Sequence, residues 1–131
     1  MFGAIGMTTL ALSAASAGEL TISQWRVLVV LGRVDTARVG GLATAVGVSL
    51  PSTSRLVRRL ERRGLVTTER DMEDRRATLV RMTRQGRNIR DSVIIRRRAM
   101  MEAAIAAGAP SLPRGLAEGL TAIARAFDAY E

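Results

Sequence analysis

The feature that most constrains this chain is the punctuation between Gly40 and Gly64. From Gly40 to Val46, Leu42, Ala43 and Val46 recur at helical spacing. Gly47 suits a left-handed helix terminus, Val48 offers an apolar plug, and Ser49 is placed to cap a new helix. Pro51 is tolerated in a first helical turn, so a second helix is expected over roughly Leu50–Arg63, closed by Gly64. At 100° per residue, Thr53, Leu56, Val57 and Leu60 fall on one side of it. Pro51, Ser52, Arg55, Arg58, Arg59 and Arg62 gather on the opposite side. One stripe asks for a core. The other presents four guanidiniums, and the acid that would offset them, Glu61, lies off the stripe. Helix, tight turn and helix in this order have the length of a DNA-binding helix-turn-helix. Ser49 and Ser52 are small enough to let the second helix approach base edges.

Beyond Gly64 the pattern extends. Leu65–Arg70 is a β-prone run, 71–76 a polar turn, and Ala77–Met82 alternates as a return strand. A hairpin directly after the second helix, with Arg75 and Arg76 near its tip, is a wing. A thin basic tip fits the narrow minor groove, where negative potential concentrates. Asp74 is expected to pair with an Arg and fix the tip's shape. Upstream, Thr21–Val34 reads as a buried helix with Ser23 as N-cap and Trp25, Leu28, Val29 and Leu31 as apolar positions, broken at Asp35-Thr36. Downstream, Thr83 caps a long helix running through Gly86 to about Ala107. Arg96-Arg97-Arg98 on it reads equally as a phosphate contact or a solubilising cluster. After Gly108, Pro110 and Pro113, a last amphipathic helix is expected over Leu116–Tyr130.

Charge sorts the chain into regions. All 20 basic residues are Arg, and the net charge is +8. From Arg26 to Arg98 there are 18 Arg against 7 carboxylates, whereas the rest carries 2 Arg and 5 carboxylates. A basic middle favours a polyanionic partner. The apolar ends, residues 2–17 and 99–130, suit pairing of two chains, although they could instead pack on this chain's own core. With neither Cys nor His, disulfides, thiolate chemistry, imidazole acid–base catalysis and the usual zinc ligands are excluded. No 18-residue apolar run is present to span a membrane. The first 17 residues have the small-residue end of a secretory signal but lack its basic start, the first Arg being Arg26, so the chain reads as cytoplasmic.

From about Leu20 to Asp91 the chain resembles the MarR family of bacterial winged-helix transcriptional regulators. The stretch GGLATAVGVSLPSTSRLVRRLERRGLVTTERDMEDRRATLVRMTRQG carries the resemblance, with the wing stretch Asp71–Arg76, then Leu79, Met82-Thr83 and Gly86. Met82 stands where Leu is usual. The resemblance implies a mainly α (α+β) fold: a winged helix-turn-helix over residues 20–83, flanked by dimerisation helices at 1–19 and 84–131. It implies a homodimer that binds a pseudo-palindromic DNA operator, with repression as the expected mode and neither cofactor nor metal. Ser49, Pro51, Ser52, Ser54 and Arg55 fall where the family touches bases and nearby phosphates. Thr36, Arg38 and Arg58 fall at backbone contacts. Arg75 and Arg76 match the minor-groove Arg of the wing, with Asp74 as supporting carboxylate. Family members often release DNA when a small lipophilic or aromatic acid binds, and Trp25 lies near the place for such a pocket, where a Trp is more often core. The chain's own ligand residues are unknown.

Two other classes remain open on the sequence. A sequence-tolerant architectural protein would use the same Arg stripe without base readout, and a protein-interaction module would dock the winged helix on an acidic partner. An enzyme is disfavoured, because no carboxylate pair, phosphate loop or activated nucleophile is visible.

Overall fold

The computed structural model describes residues 20–108, 115, 116, 118, 119, 122 and 123. The apolar first segment lies outside them, as does most of the helix expected over Leu116–Tyr130. The described residues of that last stretch include Leu116 and Ile123, both exposed.

Helix α1 spans Ile22–Val34. Its cap is Thr21 rather than the expected Ser23. Gln24 donates its backbone N–H to Thr21 Oγ1 at 3.2 Å, and Thr21 donates its own to Gln24 Oε1 at 2.9 Å. This reciprocal capping box satisfies two backbone donors at once, which a cap at Ser23 would leave open. Trp25, Val27, Leu28 and Leu31 are buried, so Trp25 is core. Asp35 ends the helix at φ 56°, its N–H still bonded to the Leu31 carbonyl.

The chain then enters a strand that the sequence does not announce. β1, Thr36–Arg38, pairs antiparallel with β3, Thr78–Met82, and β3 pairs antiparallel with β2, Val66–Arg70. The sheet therefore has three strands in the order β1-β3-β2 instead of a two-stranded hairpin. β3 is central, and it alternates over its second half: Val80 and Met82 are buried while Arg81 between them is exposed.

Between β1 and β2 stand α2, Val39–Val46, and α3, Leu50–Arg62. Gly47 takes φ 72°, ψ 37°, the left-handed geometry expected of it, and its N–H bonds the Ala43 carbonyl. Ser49 caps α3 through its side chain, with Pro51 in the first turn. Leu42, Val46, Thr53, Val57 and Leu60 close the core against α1 and the sheet, together with Leu28, Leu31, Leu65, Val66 and Val80. Burying one such aliphatic side chain contributes about 1.5–3 kcal/mol.

Thr83 joins the wing to α4, Arg84–Gly108. Its hydroxyl donates to the Gly64 carbonyl at 2.6 Å and accepts from the Gly86 N–H at 3.0 Å. Gly86 lies against the Leu65 carbonyl so closely that a Cβ there would overlap it. The chain divides into two compact units, one of residues 20–90 and one holding α4 from Asp91 onward. In the second, Val93 is buried and Ile95 exposed. Arg97 is also buried, which corrects both readings of Arg96-Arg97-Arg98 for its middle member. Among the described residues, no helix is long and apolar enough to cross a membrane.

Candidate nucleic-acid interface

Helix α3 owes its charge to where its one acid goes. Glu61 Oε1 accepts the Thr68 hydroxyl at 2.5 Å and the Thr68 N–H at 3.1 Å, so the carboxylate is turned to strand β2. Arg55, Arg58, Arg59 and Arg62 are exposed, and with Glu61 they line an open groove of about 460 Å³. No ion pair among the described residues engages these four guanidiniums. Four adjacent cations against one carboxylate leave an excess of positive charge, which raises the local potential, attracts a polyanion and is relieved by one.

The leading end of α3 carries a chain of hydroxyls. Ser49 Oγ donates to Ser52 Oγ at 3.0 Å, and Arg55 Nη2 donates to the same Ser52 oxygen at 3.2 Å. The cap and the first guanidinium are thus linked through one shared oxygen. Ser54, on the flank, lines a second cleft of about 400 Å³ with Arg38 from the end of β1, Gly40 from the start of α2, and Asp74 and Arg76 from the wing.

The wing is braced at its base by a pair that sequence reasoning missed. Arg38 donates Nε to Asp71 Oδ2 at 2.7 Å, with Nη2 at 2.6 Å from the same oxygen. Asp71 Oδ1 accepts the Glu73 N–H at 2.9 Å. The Asp71 side chain is 8% exposed. The Glu73 N–H, the Arg38 guanidinium and the Asp74 N–H together hold its carboxyl below the ordinary 3.8, outweighing the opposing effect of burial. Asp74, expected to pair with an Arg, does not. Its Oδ1 accepts the Arg76 N–H at 3.0 Å and its carbonyl accepts the Ala77 N–H, an Asx-type turn that fixes the tip through backbone instead. Arg70, not singled out from sequence, donates Nη1 to the Arg75 carbonyl at 3.3 Å. Arg75 and Arg76 are exposed at the tip, and no ion pair among the described residues involves them.

The fold therefore brings together most of the residues picked from sequence. Ser49, Ser52 and Arg55 are hydrogen-bonded in series, Pro51 is exposed beside them, and Arg58 follows one turn on from Ser54 and Arg55. Arg38, Ser54, Asp74 and Arg76 share the second cleft. Thr36 stands apart. It is half-buried at the far end of β1, opposite Arg81, about 7 Å along the strand from Arg38. Asp71 had no local signal, since its partner is 33 positions away.

Comparison with known proteins agrees with this geometry. Residues 19–77 match the family model described as MarR family. The HTH-type transcriptional regulator YfiV of Bacillus subtilis is 27% identical over 110 residues, covering 84% of this chain and 69% of that protein. The transcriptional activatory protein BadR of Rhodopseudomonas palustris is 42% identical over 79 residues, covering 58% of this chain and 45% of BadR. Among solved structures, RV1404 from Mycobacterium tuberculosis superposes with a TM-score of 0.77 at 29% identity, over 93% of this chain and 82% of that one. Family and relatives are regulators rather than enzymes. With its helix-turn-helix, wing and open Arg face, the chain is similar over residues 19–77 to the MarR family of winged-helix transcriptional regulators.

Proposed function

We propose that this regulator binds a pseudo-palindromic duplex operator as a homodimer, one half-site per chain, and represses by occupying its promoter. The observation that carries the reading is the Arg face of α3, four exposed guanidiniums with no ion pair among the described residues, whose nearby carboxylate Glu61 is hydrogen-bonded to Thr68. In this reading the leading half of α3 enters the major groove. Ser49, Pro51, Ser52, Ser54 and Arg55 meet base edges and nearby phosphates, and Arg58 holds the backbone. A guanidinium matches guanine O6 and N7 in bidentate fashion. Arg75 and Arg76 reach the flanking minor groove, with Asp74 shaping the tip that presents them. Arg38, half-exposed while bonded to Asp71, and Thr36 take backbone positions. Repression follows where the operator overlaps the promoter; BadR, by its name, is an activatory protein. Release of DNA by a small lipophilic or aromatic acid belongs to the same reading and is checked by adding such acids to the bound complex.

The test is duplex affinity against salt for the wild type and for the triple variant Arg58→Gln, Arg59→Gln, Arg62→Gln. Every phosphate that a substitution leaves without its guanidinium makes the log–log slope shallower by about 0.9. A slope unchanged by all three substitutions would contradict the placement of α3 on DNA.

A further inference from the structure

We infer that Leu50 is a specificity-determining residue that reads the 5-methyl group of a thymine in each half-site; the inference rests on the operator reading above. Leu50 is the first residue of α3 and is 53% exposed, a large aliphatic side chain at the leading end of a helix otherwise dressed in Ser and Arg. A scattered exposed Leu means little in general. This one lines the cleft that also holds Arg38, Gly40, Gly41, Ser54, Asp74 and Arg76, so it belongs to the surface that would face a duplex. Side chains on a helix tilt towards its N-terminus, and at the first position that carries the side chain beyond the turn it starts from.

The polar groups beside it are partly committed. Ser49 Oγ and Ser52 Oγ bond one another, and Arg55 is tied to Ser52. Leu50 has no polar side-chain atom and can only offer apolar surface. The one apolar group on the floor of the major groove is the thymine 5-methyl. Against it, Leu50 removes apolar surface from water on both sides. Against the cytosine amino group or the guanine acceptors, it would cover a polar edge and give it no partner. Attraction to one base is thus joined to a penalty against the others, which is how a single side chain discriminates. No other exposed apolar side chain of α3 is as large: Pro51 is smaller, and Leu56 is half-buried.

The experiment uses the full chain and the duplex it enriches from a random pool. Thymines in that duplex are replaced singly by deoxyuridine, which removes the methyl and nothing else. At one thymine per half-site, the wild type should lose about three- to fivefold in affinity, the worth of one buried methyl. Leu50→Ala should bind the parent duplex more weakly and show no uridine effect at that position, while keeping its effects elsewhere. Because Leu50 is exposed and Ala is a good helix former, the variant should keep its wild-type Tm. An enriched duplex whose binding is indifferent to uridine at every position, or a Leu50→Ala variant that retains the full penalty, overturns this inference alone. A pool that yields no enriched sequence overturns the operator reading and this inference with it.

Discussion

At the residue scale, two contacts fix how the wing is hung. Gly86 allows α4 to begin against the Leu65 carbonyl, and a methyl at that position would overlap backbone, which cannot swing away as a side chain can. Gly86→Ala is expected to destabilise by about 1–3 kcal/mol in urea unfolding, the range for overpacking. Asp71 is the second. Its folded-state carboxyl lies below the ordinary 3.8, so its contribution is full above that value and disappears as pH falls through the lower folded one. Asp71→Asn should therefore lower Tm at pH 7, and the gap from the wild type should close in acid. A gap that stays constant down to strong acid would mean the charge is not what matters. The sequence pointed to Asp74 because that residue stands next to the tip Arg pair. It could not point to Asp71, whose guanidinium partner arrives from β1 only once the sheet has formed.

At the element scale, the legible part is the local part. The α2–turn–α3 unit is written in adjacent residues: Gly47 for a left-handed terminus, Ser49 for a cap, Pro51 for a first turn. All three take those roles. Removing the cap with Ser49→Ala should cost about 1 kcal/mol in stability, and Ser49→Gly only a few tenths. Comparing the two in DNA binding separates the hydroxyl's contact with DNA from its service to the helix. β1 is not legible, since three residues between Asp35 and Val39 show no period, and they become a strand only because β3 offers an open edge. The cap of α1 stands two residues before the expected Ser23, because Thr21 and Gln24 satisfy each other's backbone and Ser23 has no such reciprocal partner. For the wing, Arg75→Ala with Arg76→Ala should weaken preference for A·T-rich flanks and leave Tm unchanged, since neither guanidinium supports the fold. A fall in Tm with flank preference intact would make the tip Arg structural.

At the scale of the whole molecule, the charge pattern and the fold agree. The Arg-rich middle of the chain is largely the winged-helix unit of residues 20–90, and there two acids are engaged, buried Asp71 by Arg38 and exposed Glu61 by Thr68, while the guanidiniums of α3 and of the wing tip stay open. The apolar ends belong to the other unit, whose described residues Ile95, Leu116 and Ile123 are exposed in the single chain, as a surface reserved for a second copy would be. The central claim is that two such chains read one inverted repeat. The most direct measurement is to incubate the purified protein with randomised duplex DNA at near-physiological salt and sequence what it retains. An inverted repeat with half-site centres about one helical turn apart is the expected result. Retention of DNA without any shared sequence, or no retention at all, would contradict it.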